Sequence, residues 1–326
     1  MNKFNIAIVG ATGLVGSTIV KILEERNFPI NNIYFFSSKK SAGSTINFNN
    51  NDYIVEELNE KSFDRDIDFA LFAAGGAVSE KYAKIAVDKG VKVIDNSSIF
   101  RMDKGVPLIV PEVNPEEIEW NKGIISNPNC STIQSVVALK PLHDKFKIKR
   151  IIYSTYQAVS GSGLGGLKDL EEGNIECYPY QIQYNALPHI DSFLDNGYTK
   201  EEMKMIDETK KILKDDSLKI TATTVRVPVK YSHSISINLE FEDSFEMEEI
   251  YDVLKNAPGI IVKDDVANKI YPMPIDVEGK DGVYIGRIRR DFSIDNGINI
   301  WVVADNIRKG AALNAVQIAE LFIDKM

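Results

Sequence analysis

The stretch NIAIVGATGLVGSTIVKILEERN (residues 5–27) decides how this chain folds. A short apolar run ends in a glycine, and after Gly10, Gly13 and Gly16 the leucines, valines and isoleucines recur at helical spacing. Strand, glycine turn and helix in that order form the context a dinucleotide fingerprint requires. Glycine permits the tight turn and lets backbone N–H groups approach a pyrophosphate at the helix N-terminus. The spacing is GxxGxxG rather than GxGxxG, so a plain strand-to-helix turn is the rival reading. The cofactor candidates here are Gly10, Thr12, Gly13, Leu14, Val15 and Gly16.

The same alternation continues through the first half. IYFFSS (33–38), DFALFAAGG (68–76) and VKVIDNSS (91–98) read as apolar strands and SEKYAKIAVDKG (79–90) as an amphipathic helix, while NFNNNDY (47–53) reads as a loop. Continuous apolar strands alternating with helices predict a parallel sheet. The strand after the first helix ends in SSKKSAG, not in the acidic residue that would bind a ribose 2′-hydroxyl. Ser37, Lys39, Lys40 and Ser41 offer hydroxyls and positive charge instead, which suits a 2′-phosphate and predicts NADP over NAD. Ala74 and Gly75, at the end of a third strand, leave room for the adenosine side.

In the second half, longer alternating strands appear in KITATTVRVPV (219–229), SISINLEFE (234–242), GVYIGRIRRD (282–291) and INIWVVADN (298–306). A chain of 326 residues exceeds one ordinary domain. The expected fold is therefore α/β, with a Rossmann-type dinucleotide-binding domain followed by an α+β catalytic and dimerisation domain built on a mostly antiparallel sheet. The expected boundaries are 1–129, completed by a C-terminal helix at 306–326, and 130–305.

With 44% hydrophobic and 26% charged residues the balance is that of a soluble protein. A net charge of −9 argues against nucleic acid or an anionic membrane as partner. No apolar run suggests a membrane span or signal peptide, so a cytoplasmic location is expected. No metal site is expected. The two cysteines, Cys130 and Cys177, make a disulfide framework unlikely to be the organising device. In SNPNCSTIQSVVALKPL (126–142) a turn precedes an apolar-periodic run, which puts Cys130 at a helix N-terminus, where the helix dipole favours a thiolate. An inert buried cysteine is the alternative. Thr199 and Glu202 in YTKEEMKMIDETKKILKD form a capping box, so Glu201 and Lys204 share a helix face. His233 falls on the strand face of Ile235, Ile237 and Leu239. A hairpin turning between Val229 and Lys230 would set it opposite Arg226.

Taken together, GATGLVG, SAG, NSSIFRMD, VPEVN, NPNCSTIQ, TYQAVSGSG, RVPV with SH seven residues after its arginine, and DNIRKGAALNAVQIAE resemble the bacterial-type aspartate-β-semialdehyde dehydrogenases. The resemblance spans both ends of the chain. It implies NADP-dependent, phosphorylating oxidation of L-aspartate 4-semialdehyde, running physiologically toward the semialdehyde and feeding lysine, diaminopimelate, threonine and methionine synthesis. Cys130 would be the nucleophile and His233 the acid/base that takes its proton, with Gln157 positioning the substrate and Asn129 stabilising the oxyanion. Arg226 would clamp the substrate carboxylate, Glu201 would meet its ammonium, and Arg101 and Lys204 would bind phosphate. Ser160, Gly161 and Asn306 would lie at the nicotinamide end. A homodimer or homotetramer is implied. The related N-acetyl-γ-glutamyl-phosphate reductases usually read NPGCY where this chain has NPNCST.

Overall fold

A computed structural model describes residues 3–323. By its internal packing the chain divides into two units, Met1–Pro128 with Ala311–Met326, and Asn129–Gly310.

The first unit opens with β1 (Phe4–Val9), α1 (Leu14–Glu25) and β2 (Ile30–Ser37), followed by a hairpin of β3 (Thr45–Phe48) and β4 (Asn51–Ile54) and the short β5 (Glu56–Glu57). It continues with β6 (Phe69–Phe72), α2 (Gly76–Asp88), β7 (Lys92–Asp95) and β8 (Ile124–Ser126). The strands form one parallel sheet in the order β5-β2-β1-β6-β7-β8. Both faces are covered, which explains why β1 is apolar without alternation. Ile6 and Ile8 pack with Ile19, Ile22 and Leu23 of α1, whereas Ala7 and Val9 pack with Ala83 and Ala86 of α2. The segment 47–53 is not a loop: Asn47 pairs with Asp52 and Ile46 with Tyr53, and only Asn49 and Asn50 turn, both at positive φ. Asparagine tolerates that left-handed conformation, so a run of asparagines closes a tight hairpin rather than a loose excursion.

The second unit begins with α3 (Cys130–Phe146) and β9 (Ile148–Gln157), then α4 (Gly163–Glu172), α5 (Lys200–Leu213), β10 (Lys219–Arg226) and β11 (His233–Phe241). After α6 (Met247–Lys255), β12 (Ile260–Val262) and α7 (Pro274–Val277), it closes with β13 (Val283–Asp291) and β14 (Gly297–Ala304). Its sheet, ordered β10-β9-β11-β14-β13-β12, is mixed. The central ladders are antiparallel and the pairs at each edge, β10 with β9 and β12 with β13, are parallel. The expected hairpin between Arg226 and His233 is absent, because β9 lies between β10 and β11. Residues 227–230 bond instead to the end of β9 and the loop beyond it, with Val227 N–H donating to Gln157 O and Val159 N–H to Val229 O.

A π-turn at Arg308–Ala312 leads into α8 (Leu313–Ile323), whose Leu313, Ala315, Val316, Ile318 and Ala319 join the core of the first unit beside α1. Residues 324–326 of the helix expected at the C-terminus lie outside the described residues.

Candidate active site

Sheet register brings the second unit's polar residues to one end. Gln157 closes β9 and is paired with Arg226, which closes the parallel β10. The antiparallel β11 starts there with His233, paired with Ala304 at the end of β14, after which Asp305 and Asn306 follow. Gln157, Arg226, His233 and Asn306, far apart in sequence, are therefore all buried at the same edge.

Cys130 opens α3, as its sequence context predicts. Asn129 is the N-cap, and its Oδ1 accepts from the backbone N–H groups of Ser131 at 2.9 Å and Thr132 at 3.2 Å. Such a cap contributes about 1 kcal/mol to the helix. Two carboxylates of α5 hold the same residue: Glu208 Oε2 accepts its backbone N–H at 2.7 Å, and Glu201 Oε1 accepts its Nδ2–H at 2.9 Å. The amide assigned to the oxyanion is thus engaged as a helix cap and as a partner of Glu201. Gln157 Nε2 donates to Ser131 Oγ at 2.9 Å and to Glu201 Oε1 at 3.3 Å, and Lys204 Nζ donates to Glu201 Oε2 at 3.2 Å and to Asp191 Oδ2 at 2.7 Å. Glu201 is accordingly the hub of this network, and the Thr199–Glu202 capping box that fixes its helix forms as predicted.

Arg226 Nη1 donates to Ala158 O at 2.7 Å, and its guanidinium lies 6.0 Å from the Tyr178 ring centre. His233 is fully buried, and its Nδ1 accepts the Ala158 N–H at 2.9 Å. Burial, then the neighbouring Arg226 charge, hold its pKa well below the ordinary histidine value. Gly161 faces both side chains: a Cβ there would stand 2.8 Å from Arg226 Nη1 and 3.5 Å from His233 Nε2. The absent side chain leaves a hollow lined by a guanidinium and an imidazole. Asn306 Nδ2 donates to Ser160 Oγ at 3.0 Å, and its Oδ1 accepts the Ser232 N–H at 2.9 Å, which ties the residue after β14 to the loop carrying Gly161.

Sequence reading missed Glu208, Ser131 and Gly310. Glu208 follows Glu201 by two helical turns, so period alone places it on the same buried face of α5. Gly310 carried no signal, yet a Cβ there would fall 2.9 Å from the Cβ of Cys130. Cys177 is exposed, and burial of its sulfur raises its pKa first of all, so it has none of the features of the other thiol.

The remaining candidates belong to the first unit. Arg101 is buried there and donates from Nη2 to Asn96 O at 2.8 Å. In the glycine turn, Thr12 and Ser37 share a 2.8 Å hydroxyl hydrogen bond. Gly10 has φ +85°, and a Cβ on it would lie 2.7 Å from Ala73 O, while one on Gly16 would lie 2.1 Å from Gly10 O. Those two glycines are demanded by backbone packing. Gly13 is not, since its Cβ would meet only Gly10 O at 3.4 Å, and Gly75, at φ +88°, has open space around its Cβ position. Gly13 is also the N-cap of α1, with no side chain bonded across the helix start. These open positions beside a helix N-terminus fit a dinucleotide's phosphates. Leu14 and Val15 open α1, Ala74 precedes Gly75, Lys39 and Lys40 are exposed, and Ser41 sits in the turn after β2.

Fold and site together are those of a nicotinamide-dependent dehydrogenase, and comparisons with known proteins agree. Residues 5–121 match the semialdehyde dehydrogenase NAD binding domain, and residues 139–309 match the semialdehyde dehydrogenase dimerisation domain. The chain is 54% identical to the aspartate-semialdehyde dehydrogenase of Aquifex aeolicus, over 98% of each chain, and 48% identical to that of Bacillus subtilis, over 97% of this chain and 96% of that one. A crystal structure of aspartate semialdehyde dehydrogenase II from Vibrio cholerae, complexed with ASA, superposes with a TM-score of 0.96 at 46% identity, covering 99% of both chains. The chain belongs to the semialdehyde dehydrogenase family, and within it is an aspartate-semialdehyde dehydrogenase.

Proposed function

We propose that this dehydrogenase is NADP-dependent and phosphorylating, interconverting L-aspartate 4-semialdehyde and phosphate with 4-aspartyl phosphate through a thioester on Cys130. It works in the cytoplasm, toward the semialdehyde, in lysine, diaminopimelate, threonine and methionine biosynthesis. The observation that carries this reading is the pair of buried atoms, Arg226 Nε and His233 Nε2, that have no hydrogen-bond partner in residues bordering the Gly161 hollow. Buried polar atoms left unpaired are unfavourable unless a ligand completes them. An amino-acid aldehyde does so, with its α-carboxylate on the guanidinium fork and its carbonyl oxygen at the imidazole.

The Cys130 sulfur, favoured as thiolate at the start of α3, attacks the aldehyde carbon. Arg226 orients the carboxylate, Glu201 receives the ammonium, and Gln157, bonded to Glu201 and Ser131, fixes the approach. Loss of hydride from the tetrahedral carbon leaves the Cys130 thioester. Phosphate attacks its carbonyl, the C–S bond breaks and the thiolate returns. Lys204 is the phosphate contact in this unit; Arg101 carries the same assignment from the resemblance alone.

When bound, the nicotinamide supplies the hydride acceptor. Gly10, Thr12, Gly13, Leu14, Val15, Gly16, Ala74 and Gly75 would hold the dinucleotide, with Ser37, Lys39, Lys40 and Ser41 around a 2′-phosphate and Ser160, Gly161 and Asn306 at the nicotinamide end. A solved aspartate semialdehyde dehydrogenase from Candida albicans, 28% identical with a TM-score of 0.79 over 98% of each chain, is described with NADP, which supports that choice. Self-association as a homodimer or homotetramer is supported by the open face of the second unit's sheet, where Tyr156 and Trp301 stack at 5.5 Å beside a groove lined by Tyr271, Pro272 and Met273.

The test is NADPH formation from L-aspartate 4-semialdehyde with phosphate, in wild type and Cys130→Ala, with N-acetyl-glutamate semialdehyde as competing substrate. We expect phosphate-dependent turnover of the free amino-acid aldehyde, abolished in the alanine variant. Turnover of only the acylated aldehyde would refute the substrate assignment.

A further inference from the structure

The two ring nitrogens of His233 have opposite surroundings. Nδ1 accepts the Ala158 N–H at 2.9 Å. The Ala158 peptide is itself clamped: its carbonyl accepts from Arg226 Nη1 at 2.7 Å, and the next two residues bond through Val159 N–H to Val229 O and Ser160 N–H to Lys230 O. A backbone N–H aimed at Nδ1 occupies the lone pair there, so a hydrogen on Nδ1 would break that bond. The ring therefore carries its hydrogen on Nε2. Nε2 is buried, has no hydrogen-bond partner, and lies beside the Gly161 hollow. An imidazole in this state presents a donor to the hollow and no lone pair with which to take a proton.

We propose that His233 acts through its Nε2–H as a fixed hydrogen-bond donor to the reacting oxygen, and that it does not accept the proton of the Cys130 thiol. The inference rests on the reading of Cys130 as nucleophile given above, and it replaces the acid/base role that the resemblance implies. Its second ground is electrostatic, since burial and the Arg226 charge both oppose a positive ring. The chemistry balances without a proton on the histidine. The thiolate forms the C–S bond while the carbonyl π pair moves onto oxygen, where Nε2–H stabilises it. When the carbon gives up hydride, to the nicotinamide that the reaction already requires, the pair returns to re-form C=O. Phosphate then displaces the sulfur as thiolate, and the proton of hydrogen phosphate leaves to solvent. A neutral imidazole used as electrophile is a known solution in other enzymes.

The experiment is 15N NMR of the full-length protein with labelled histidine, near neutral pH and without substrate, alongside kinetics of His233→Gln and His233→Ala. The chain has three histidines, so the pair of nitrogen signals lost in His233→Gln belongs to this ring. We expect Nδ1 to resonate as a bare, pyridine-type nitrogen and Nε2 as a protonated, pyrrole-type one. Glutamine keeps an N–H donor without basicity, so His233→Gln should retain a kcat about tenfold above that of His233→Ala, with KM for the aldehyde similar in both. A hydrogen on Nδ1, a doubly protonated ring, or a folded glutamine variant no more active than the alanine one would overturn the proposal. Turnover surviving in Cys130→Ala would instead sink the nucleophile assignment and leave the NMR result standing.

Discussion

His233 also links the site to the stability of the fold. Its pKa is held well below the ordinary value by burial and by Arg226, so the unfolded chain binds the proton more readily than the native one. Stability attributable to this group is present above pH 6.5, its ordinary value, and is lost as pH falls below it. The slope from one such group approaches about 1.4 kcal/mol per pH unit. His143, lowered first by its own burial, acts in the same direction. Urea midpoints compared at about pH 7.5 and about pH 5.5 should therefore fall less in His233→Gln than in wild type, and equal falls would count against a buried neutral ring. At this scale the sequence was informative where the cause was local. Cys130 was legible because a turn, a capping asparagine and an apolar run lie within a few residues of it. The hollow at Gly161 was not, because it takes β9, β10 and β11 to bring Arg226 and His233 to one glycine.

Among the elements, the glycine turn separates two roles that the GxxGxxG pattern merges. Gly16→Ala would drive a methyl to 2.1 Å from the Gly10 carbonyl oxygen, while Gly13→Ala meets only a 3.4 Å contact with the same atom. Gly16→Ala should lower stability by roughly 1–3 kcal/mol, as overpacking does. Gly13→Ala should fold with an unchanged melting temperature and weaken NADPH binding, read by fluorescence titration. Equal stability of the two variants would contradict the close approach, and unchanged NADPH affinity in Gly13→Ala would remove that glycine from the cofactor site. Local signals again decide what sequence reading achieves here. The Thr199–Glu202 capping box fixed α5 in advance, whereas the imagined hairpin between Val229 and Lys230 failed because strand order is a non-local property. Nothing in VRVPVKYSH announces that β9 will pair with both neighbours.

For the whole molecule, patterning separated a parallel from a mixed sheet correctly, since both-face burial and alternation leave different periods. The expected self-association depends on the second unit's open sheet face, where Trp301 stacks on Tyr156 and donates from Nε1 to Pro272 O at 3.1 Å. Trp301→Arg should shift sedimentation toward monomer at micromolar concentration while leaving far-ultraviolet circular dichroism intact; an unchanged sedimentation profile would rule this face out as the interface. Gly310 has one more consequence. The second unit starts one residue before Cys130 and ends at Gly310, and the two meet so closely that a single methyl would part them. In chain topology the whole of 129–310 is an insertion whose ends are brought together at the nucleophile. Loop-closure entropy rises only logarithmically with length, so an insert with adjoining ends leaves the host chain almost uninterrupted. The seam of the insertion and the seat of the chemistry are the same few atoms, and a substitution that loosens one loosens the other.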